Sequence, residues 1–165
     1  MAKALECMDY LFQFEQDKYY ALRRIPMAMR IKLDLCGFKL SIRDWSKLSR
    51  NDREALAAMP YESEAQLAAF RECIDALIAG IEGDSEATAP CTRPAAWEIT
   101  GEIPHAISRQ LEDRGVPPLS VRLWAALSEL QRYALIKLTR EGGKNEKLPA
   151  ALQEFGLMPE ADQAR

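Results

Sequence analysis

A single histidine in 165 residues is the first constraint on this chain. Imidazole is the usual proton shuttle near neutral pH and a common metal ligand, so His105 alone offers no histidine-based cluster. The four cysteines, Cys7, Cys36, Cys73 and Cys91, are scattered and form no Cys-x-x-Cys pair. That lacks the ligand spacing of structural zinc. With no basic region followed by an apolar run at the start, the same scatter points to free thiols and a cytoplasmic location rather than a secreted disulfide framework. The longest apolar stretch, around residues 76–81, is far too short to span a bilayer, so no membrane role is expected. Also missing are Gly-x-Gly-x-x-Gly, a phosphate-binding loop, a nucleophile elbow and His-Glu-x-x-His. No catalytic residue, metal site or cofactor is therefore expected, and the chain does not read as an enzyme.

What is present is a pattern written twice. Residues 25–56 and 103–135 correspond at an offset of 78 and later 79 positions. Ile25-Pro26 matches Ile103-Pro104, Leu33-Asp34 matches Leu111-Glu112, and Gly37 matches Gly115. After a one-residue slip, Leu40-Ser41-Ile42-Arg43-x-Trp45-x-x-Leu48-Ser49 matches Leu119-Ser120-Val121-Arg122-x-Trp124-x-x-Leu127-Ser128. Arg53-x-Ala55-Leu56 then matches Arg132-x-Ala134-Leu135. Two related units in one short chain predict duplication around a pseudo-symmetric core, with repeats at 25–60 and 103–140. The length and a composition of 48% hydrophobic and 28% charged residues fit a single globular domain over residues 1–165.

The repeat also decides a local ambiguity. Residues 29–35 alternate apolar and polar, a strand signature, and Cys36-Gly37 would serve as a hairpin turn into residues 38–42. The matching segment, however, places Ile103, Ala106, Ile107, Gln110, Leu111 and Arg114 at helical spacing, and Pro117-Pro118 would spoil a returning strand. Both segments are read as helices, opened near Pro and closed at Gly. Ser41 and Ser120 predict N-caps of short helices carrying Trp45 and Trp124, and Ser49 with Asp52 and Ser128 with Gln131 predict capping boxes opening a third helix. Between the repeats, Ser63 with Gln66 opens a long amphipathic helix striped by Leu67, Phe70, Ile74, Leu77, Ile78 and Ile81 and closed by Gly83. Residues 83–96 have linker composition, and Leu148 to Phe155 form a short docking helix. Near the start, Tyr10, Phe12 and Phe14 suggest a short edge strand. The fold class is thus all-α: two pseudo-symmetric helix–Gly turn–short helix–helix repeats joined by a long amphipathic helix.

Charge is unevenly placed. Residues 18–53 hold ten Lys/Arg against Asp34, Asp44 and Asp52, whereas residues 54–89 hold eight acids against Arg71 alone. The basic series Arg23, Arg24, Arg30, Lys32, Lys39 and Arg43 either complements the acidic helix or leaves a basic face for an anionic partner. Near a helix N-terminus it would suit phosphate or carboxylate, which makes a small-anion-binding protein the alternative reading. Nucleic acid is disfavoured by the net charge of −3 and by the lack of interleaved stacking aromatics. Trp45 and Trp124 read as anchors of each half-core, Arg53 and Arg132 as braces on carboxylates or helix-end carbonyls, and His105 as a surface residue.

Several runs together are similar to the nitrate reductase-associated protein family. They are Phe12-x-Phe14-Glu15, Arg24-Ile25-Pro26-Met27, Arg30-x-Lys32-Leu33-Asp34-x-Cys36-Gly37-x-Lys39-Leu40, Trp45-Ser46-Lys47-Leu48-Ser49 and Arg53 in the first half. The second half adds Trp124, Leu127-Ser128-x-Leu130-Gln131-Arg132-Tyr133-Ala134-Leu135-Ile136-Lys137-Leu138 and Pro149-Ala150-Ala151-Leu152-x-Glu154-Phe155. The resemblance implies a small protein serving assimilatory nitrate reductase, whose own chemistry uses a molybdenum cofactor and an iron–sulfur cluster. Its implied partner is the reductase catalytic subunit, and its implied role is maturation of the apo-enzyme. Two departures shape that expectation: Arg24 stands where a Cys commonly precedes Ile-Pro, and Arg140-Glu141-Gly142-Gly143-Lys144-Asn145 stands where the family pattern has Arg-Pro-Gly-His-Glu-Asn. Both favour protein binding over metal handling. The expected contact residues are Arg23, Arg30, Lys32, Lys39, Arg140, Lys144 and Asn145.

Overall fold

The computed structural model describes residues 11–16, 22–140 and 145–158, and the chain divides into two compact units, Met1–Thr92 and Arg93–Arg165. Among the described residues there are eight α-helices and one two-stranded antiparallel ladder, so the fold is mainly helical.

Unit 1 is built on α1 (Met27–Cys36), which is inner on almost every side: only Arg30, Asp34 and Cys36 escape full burial. That explains the misleading alternation in its sequence. Arg30 and Asp34, four apart, mark the single outward edge of a helix, and Lys32 between them turns inward. α1 stops at Gly37, whose left-handed backbone (φ 78°) lets its amide reach back to the Leu33 carbonyl at 2.9 Å. A side chain there would also run into the Thr88 carbonyl, so glycine is required twice over.

The chain then forms β1 (Phe38–Lys39), α2 (Ile42–Lys47), α3 (Arg50–Ala58) and α4 (Glu64–Ala79). Ser41 and Ser49 cap α2 and α3 through Asp44 and Asp52 amides, both at 3.0 Å, and Ser63 with Gln66 completes a reciprocal box on α4. α4 packs on α1 and α3 of its own unit. It ends at Ala79 with Gly80 as its C-cap, earlier than Gly83, and of its predicted stripe Phe70 and Ile74 are fully buried. The apolar core gathers Met29, Leu33, Trp45, Leu56, Phe70 and Ile74, each contributing about 1.5–3 kcal/mol by leaving water.

The all-α expectation needs one amendment. Residues 83–92, of linker composition, return along α1's end as β2 (Glu86–Ala87), pairing with β1 in the register Phe38↔Ala87 and Lys39↔Glu86. The Thr88 amide donates to the Gly37 carbonyl and the Cys91 amide to the Asp34 carbonyl, both at 2.9 Å. Two residues per strand are too few to announce themselves by periodicity. At the start of the unit, a 3₁₀ turn over Gln13–Glu15 stands where an edge strand was expected, with Phe12 and Phe14 stacked at 5.2 Å. Tyr10 lies outside the described residues.

Unit 2 contains α5 (His105–Asp113), α6 (Val121–Ala126), α7 (Glu129–Leu138) and α8 (Leu148–Glu154). α5 is strongly two-faced, burying Ile107 and Leu111 and leaving His105 in water. Gly115 (φ 66°) reverses the chain after it. Ser120 caps α6, and Ser128 with Gln131 forms the predicted box on α7. Trp124, Leu127, Leu135, Leu148 and Leu152 close the core together with those two α5 residues. α7 ends at Leu138; the predicted Gly142-Gly143 stop lies outside the described residues.

Candidate partner-binding surface

The matched tryptophans and arginines do what anchors do. In unit 1 the Trp45 indole N–H donates to the Leu22 carbonyl at 2.7 Å, and Arg53 donates to that same carbonyl at 3.0 Å. In unit 2 the Trp124 indole donates to the Ile99 carbonyl at 2.9 Å. Arg132 donates to the Trp97 carbonyl at 2.7 Å and also to the Leu127 carbonyl at α6's end. Each pair thereby ties the segment before the first helix of its unit onto the second and third. Both indoles are fully buried, so neither is a contact surface.

The predicted contact residues separate into distinct groups. Arg23 is exposed in the turn before α1. Arg30 is exposed on α1 while its Nε donates to the Ile25 carbonyl at 2.9 Å, which leaves its charge unneutralised. Lys39 is exposed on β1 with its amine 3.8 Å from Glu86, a pair too solvated to remove it from a surface. Arg140 is exposed just past α7. Asn145 sits at φ 47°, and its carbonyl accepts from Arg114 at 3.3 Å. Lys144 lies outside the described residues. Arg23, Arg30 and Lys39 belong to unit 1, and Arg140 and Asn145 to unit 2.

Lys32 has to be withdrawn from that set. Its side chain is fully buried, and its amine donates to the carbonyls of Leu56, Ala57 and Met59 at 2.5, 3.0 and 2.9 Å. They cluster at the C-terminal end of α3, where the Leu56 carbonyl also accepts from the Met59 amide at 3.3 Å, and an ammonium with three donors matches them. The amine also lies 5.0 Å above the Phe70 ring. Burial pushes its pKa down to about 8, so the group is still cationic at neutral pH. Lys32 is a helix cap and faces no partner.

The basic series is only slightly neutralised by the acidic segment that follows it. Among the described residues, no carboxylate pairs with Arg24, Arg30 or Arg43, and α4 pairs its own Asp75 with Arg71. Arg71 also donates to the Cys36 and Gly37 carbonyls at 3.1 and 3.0 Å, closing the end of α1. The N-terminus of α1, where an anion was considered, is already served: the Glu15 carboxylate accepts from the Met27 amide at 2.8 Å.

Residues that sequence reasoning passed over are Asp44 and its partners. Asp44 is fully buried at the third position of α2 and accepts from the amides of Asp84 and Ser85 at 3.1 and 2.9 Å and from the Ser85 hydroxyl at 2.6 Å. The Ser85 hydroxyl above all holds its carboxyl below the ordinary carboxylate range, with Ser85 and Ser41 backbone and side-chain bonds and nearby Lys47 acting the same way against burial. Gly83 passes so close that any side chain there would overlap this carboxylate. The one hint in the sequence is that Asp44 matches Leu123, a change of kind inside an otherwise matching run.

Cys36, Cys73 and Cys91 are free thiols, and burial pushes the Cys36 thiol up, away from the reactive thiolate. Among the described residues no group of three His, Cys, Asp or Glu side chains is arranged to hold a metal, and no helix is long and apolar enough to cross a membrane.

These features define a small, mainly helical protein whose buried charges cap helices and fasten loops, with exposed cations left over. The chain belongs to the conserved nitrate reductase-associated protein family, whose model matches residues 11–155. No curated protein and no solved structure shows significant similarity to it.

Proposed function

We propose that this protein is a non-enzymatic accessory factor for assimilatory nitrate reductase, binding the cofactor-free catalytic subunit in the cytoplasm while its molybdenum cofactor is assembled. The reading rests on family membership together with one observation: the guanidinium groups of Arg24, Arg30 and Arg43 are exposed in unit 1 without a carboxylate partner among the described residues. Unpaired arginines steer encounters with acidic protein surfaces and then bind carboxylates in bidentate fashion. On this reading Arg23, Arg30 and Lys39 contact the reductase from unit 1, and Arg140, Lys144 and Asn145 from unit 2. The two units are copies of one ancestral motif, pseudo-symmetric in build, and serve as rigid platforms.

A phosphorylated pterin as ligand is the weaker reading, because the helix end best suited to phosphate already holds Glu15. The test is the double variant Arg30→Ala with Lys39→Ala. It is expected to fold normally and to lower reductase activity in cells several-fold, in line with loss of two exposed contact cations. Unchanged activity from a folded double variant would remove the basic contact surface.

A further inference from the structure

Residues 82–91 lead from α4 toward unit 2, which begins at Arg93. Apart from Cys91 they bring no apolar side chain larger than alanine or proline. None of their side chains is fully buried, and only Ser85 and Cys91 are half-buried. Ile81, just before them, is the contrast, since it packs against the core of unit 1. What holds the segment is a row of polar contacts. The Glu82 carbonyl accepts from the Lys47 amine at 2.8 Å. The Asp44 carboxylate accepts from the amides of Asp84 and Ser85 and from the Ser85 hydroxyl, which itself accepts from the Ser41 amide at 3.0 Å. The two-residue ladder with β1 follows, and the Thr88 and Cys91 amides then donate to carbonyls at the end of α1. A stretch fastened by hydrogen bonds without apolar burial belongs to the part of a native structure that opens first.

The carboxylate at the centre of this row is only half satisfied. All three bonds from the segment fall on Asp44 Oδ2. Oδ1 is buried with no hydrogen-bond donor among the described residues, and the Lys47 amine lies 3.8 Å from it. A buried carboxylate oxygen without a donor regains hydration when its cover lifts, which offsets part of the bonding lost on opening. The closed state is therefore held by directed bonds on one oxygen against a solvation cost on the other.

We propose that residues 82–91 are a latched strap, which opens as one unit while α1 to α4 stay folded, with Asp44 as its latch on Ser85. In the open state β1 loses the one strand it pairs with among the described residues, and the Glu86 carboxylate leaves the Lys39 amine. The chain from α4 to unit 2 is then a free tether. The strap thus sets the charge beside Lys39 and the length of free chain before Arg93.

The experiment is native-state hydrogen exchange on the full-length protein, unaltered and with Ser85→Ala. The side chain removed is half-buried and outside the core, so the far-UV spectrum is expected to be unchanged. In the unaltered protein the amides of residues 84, 85, 88 and 91 are expected to share one protection factor. It should lie at least about 100-fold below those of α1 and α4 and depend little on denaturant. Protection equal to that of α1 and α4 would mean that the segment is released only by unfolding of unit 1, which overturns the strap. Ser85→Ala is expected to speed all four amides by the same factor, about tenfold, although Thr88 and Cys91 are bonded to α1 and not to the latch. Faster exchange at residues 84 and 85 alone would mean that the segment frays piecewise, and no change at any of the four would mean that Ser85 latches nothing; either overturns the proposal.

Discussion

Unit 1 keeps two charged side chains fully buried, and unit 2 keeps neither at the matching positions. Lys32 corresponds to Gln110, which is half-buried, and Asp44 to Leu123, which is half-exposed. The difference follows what each unit has to hold. At the end of α3 in unit 1, where the chain turns toward α4, the Lys32 amine donates to the carbonyls of Leu56, Ala57 and Met59. The end of the corresponding α7 of unit 2, at Leu138, is closed instead by the Thr139 hydroxyl donating to the Leu135 carbonyl at 2.7 Å. Asp44 in turn has a returning segment to fasten, and Leu123 has none from its own unit among the described residues. Buried charge appears in this protein where additional chain needs an anchor, which is the setting in which its desolvation cost is offset by several directed hydrogen bonds.

The sharpest way to break the comparison is to remove the buried amine. Lys32→Ala is expected to lower stability by about 3 kcal/mol, from a cavity plus the loss of its hydrogen bonds to three carbonyls, while Gln110→Ala is expected to cost under about 1 kcal/mol. Denaturant melts of both variants check this. The same amine predicts a pH effect. The folded protein releases the Lys32 proton at about 8 and the unfolded chain near 10.5, so unfolding takes up a proton between these values. Stability from Lys32 therefore rises with pH across that window, and Lys32→Met is expected to remove the rise in stability-against-pH curves.

A smaller effect distinguishes the two tryptophan anchors. Trp124→Phe leaves the Ile99 carbonyl without its donor and is expected to cost about 2 kcal/mol. Trp45→Phe is expected to cost about 1 kcal/mol, because Arg53 still serves the Leu22 carbonyl. Equal costs in the same melts would mean that ring packing, not the hydrogen bond, sets the penalty.

Smaller again is the acid-side signature of Asp44. Its carboxyl is held below the ordinary carboxylate range, so its contribution is present above the unfolded value of 3.8 and is lost as pH falls through the lower folded value. Asp44→Asn is expected to remove that acid-side loss and to speed hydrogen exchange at Ser85. Unchanged exchange at Ser85 would mean that β2 pairing alone holds the segment.

Much of this scaffold was readable in the chain. Serine caps at 41, 49, 63, 120 and 128 and glycine reversals at 37 and 115 rest on local chemistry, which a sequence displays directly. The fate of Lys32 was not readable, because a helical face buried on nearly all sides shows no periodic contrast to place a lysine inside or out. Nor was the Asp44 clasp, which joins residues some 40 positions apart through a segment whose Gly, Ser and Pro content reads as linker. The basic surface was visible as a charge run, but Lys32 left it and Glu15 took up the helix end that an anion would have used. For the candidate site, composition marked the right region and only packing could sort its members.

The most direct test of the account is whether the protein recognises one state of its partner. Gel filtration with light scattering, with purified protein and nitrate reductase catalytic subunit from the same source, should show a complex with the cofactor-free form that dissolves when the cofactor is loaded. A complex of equal strength with both forms would contradict a role in assembly, and no complex with either would contradict the accessory role itself.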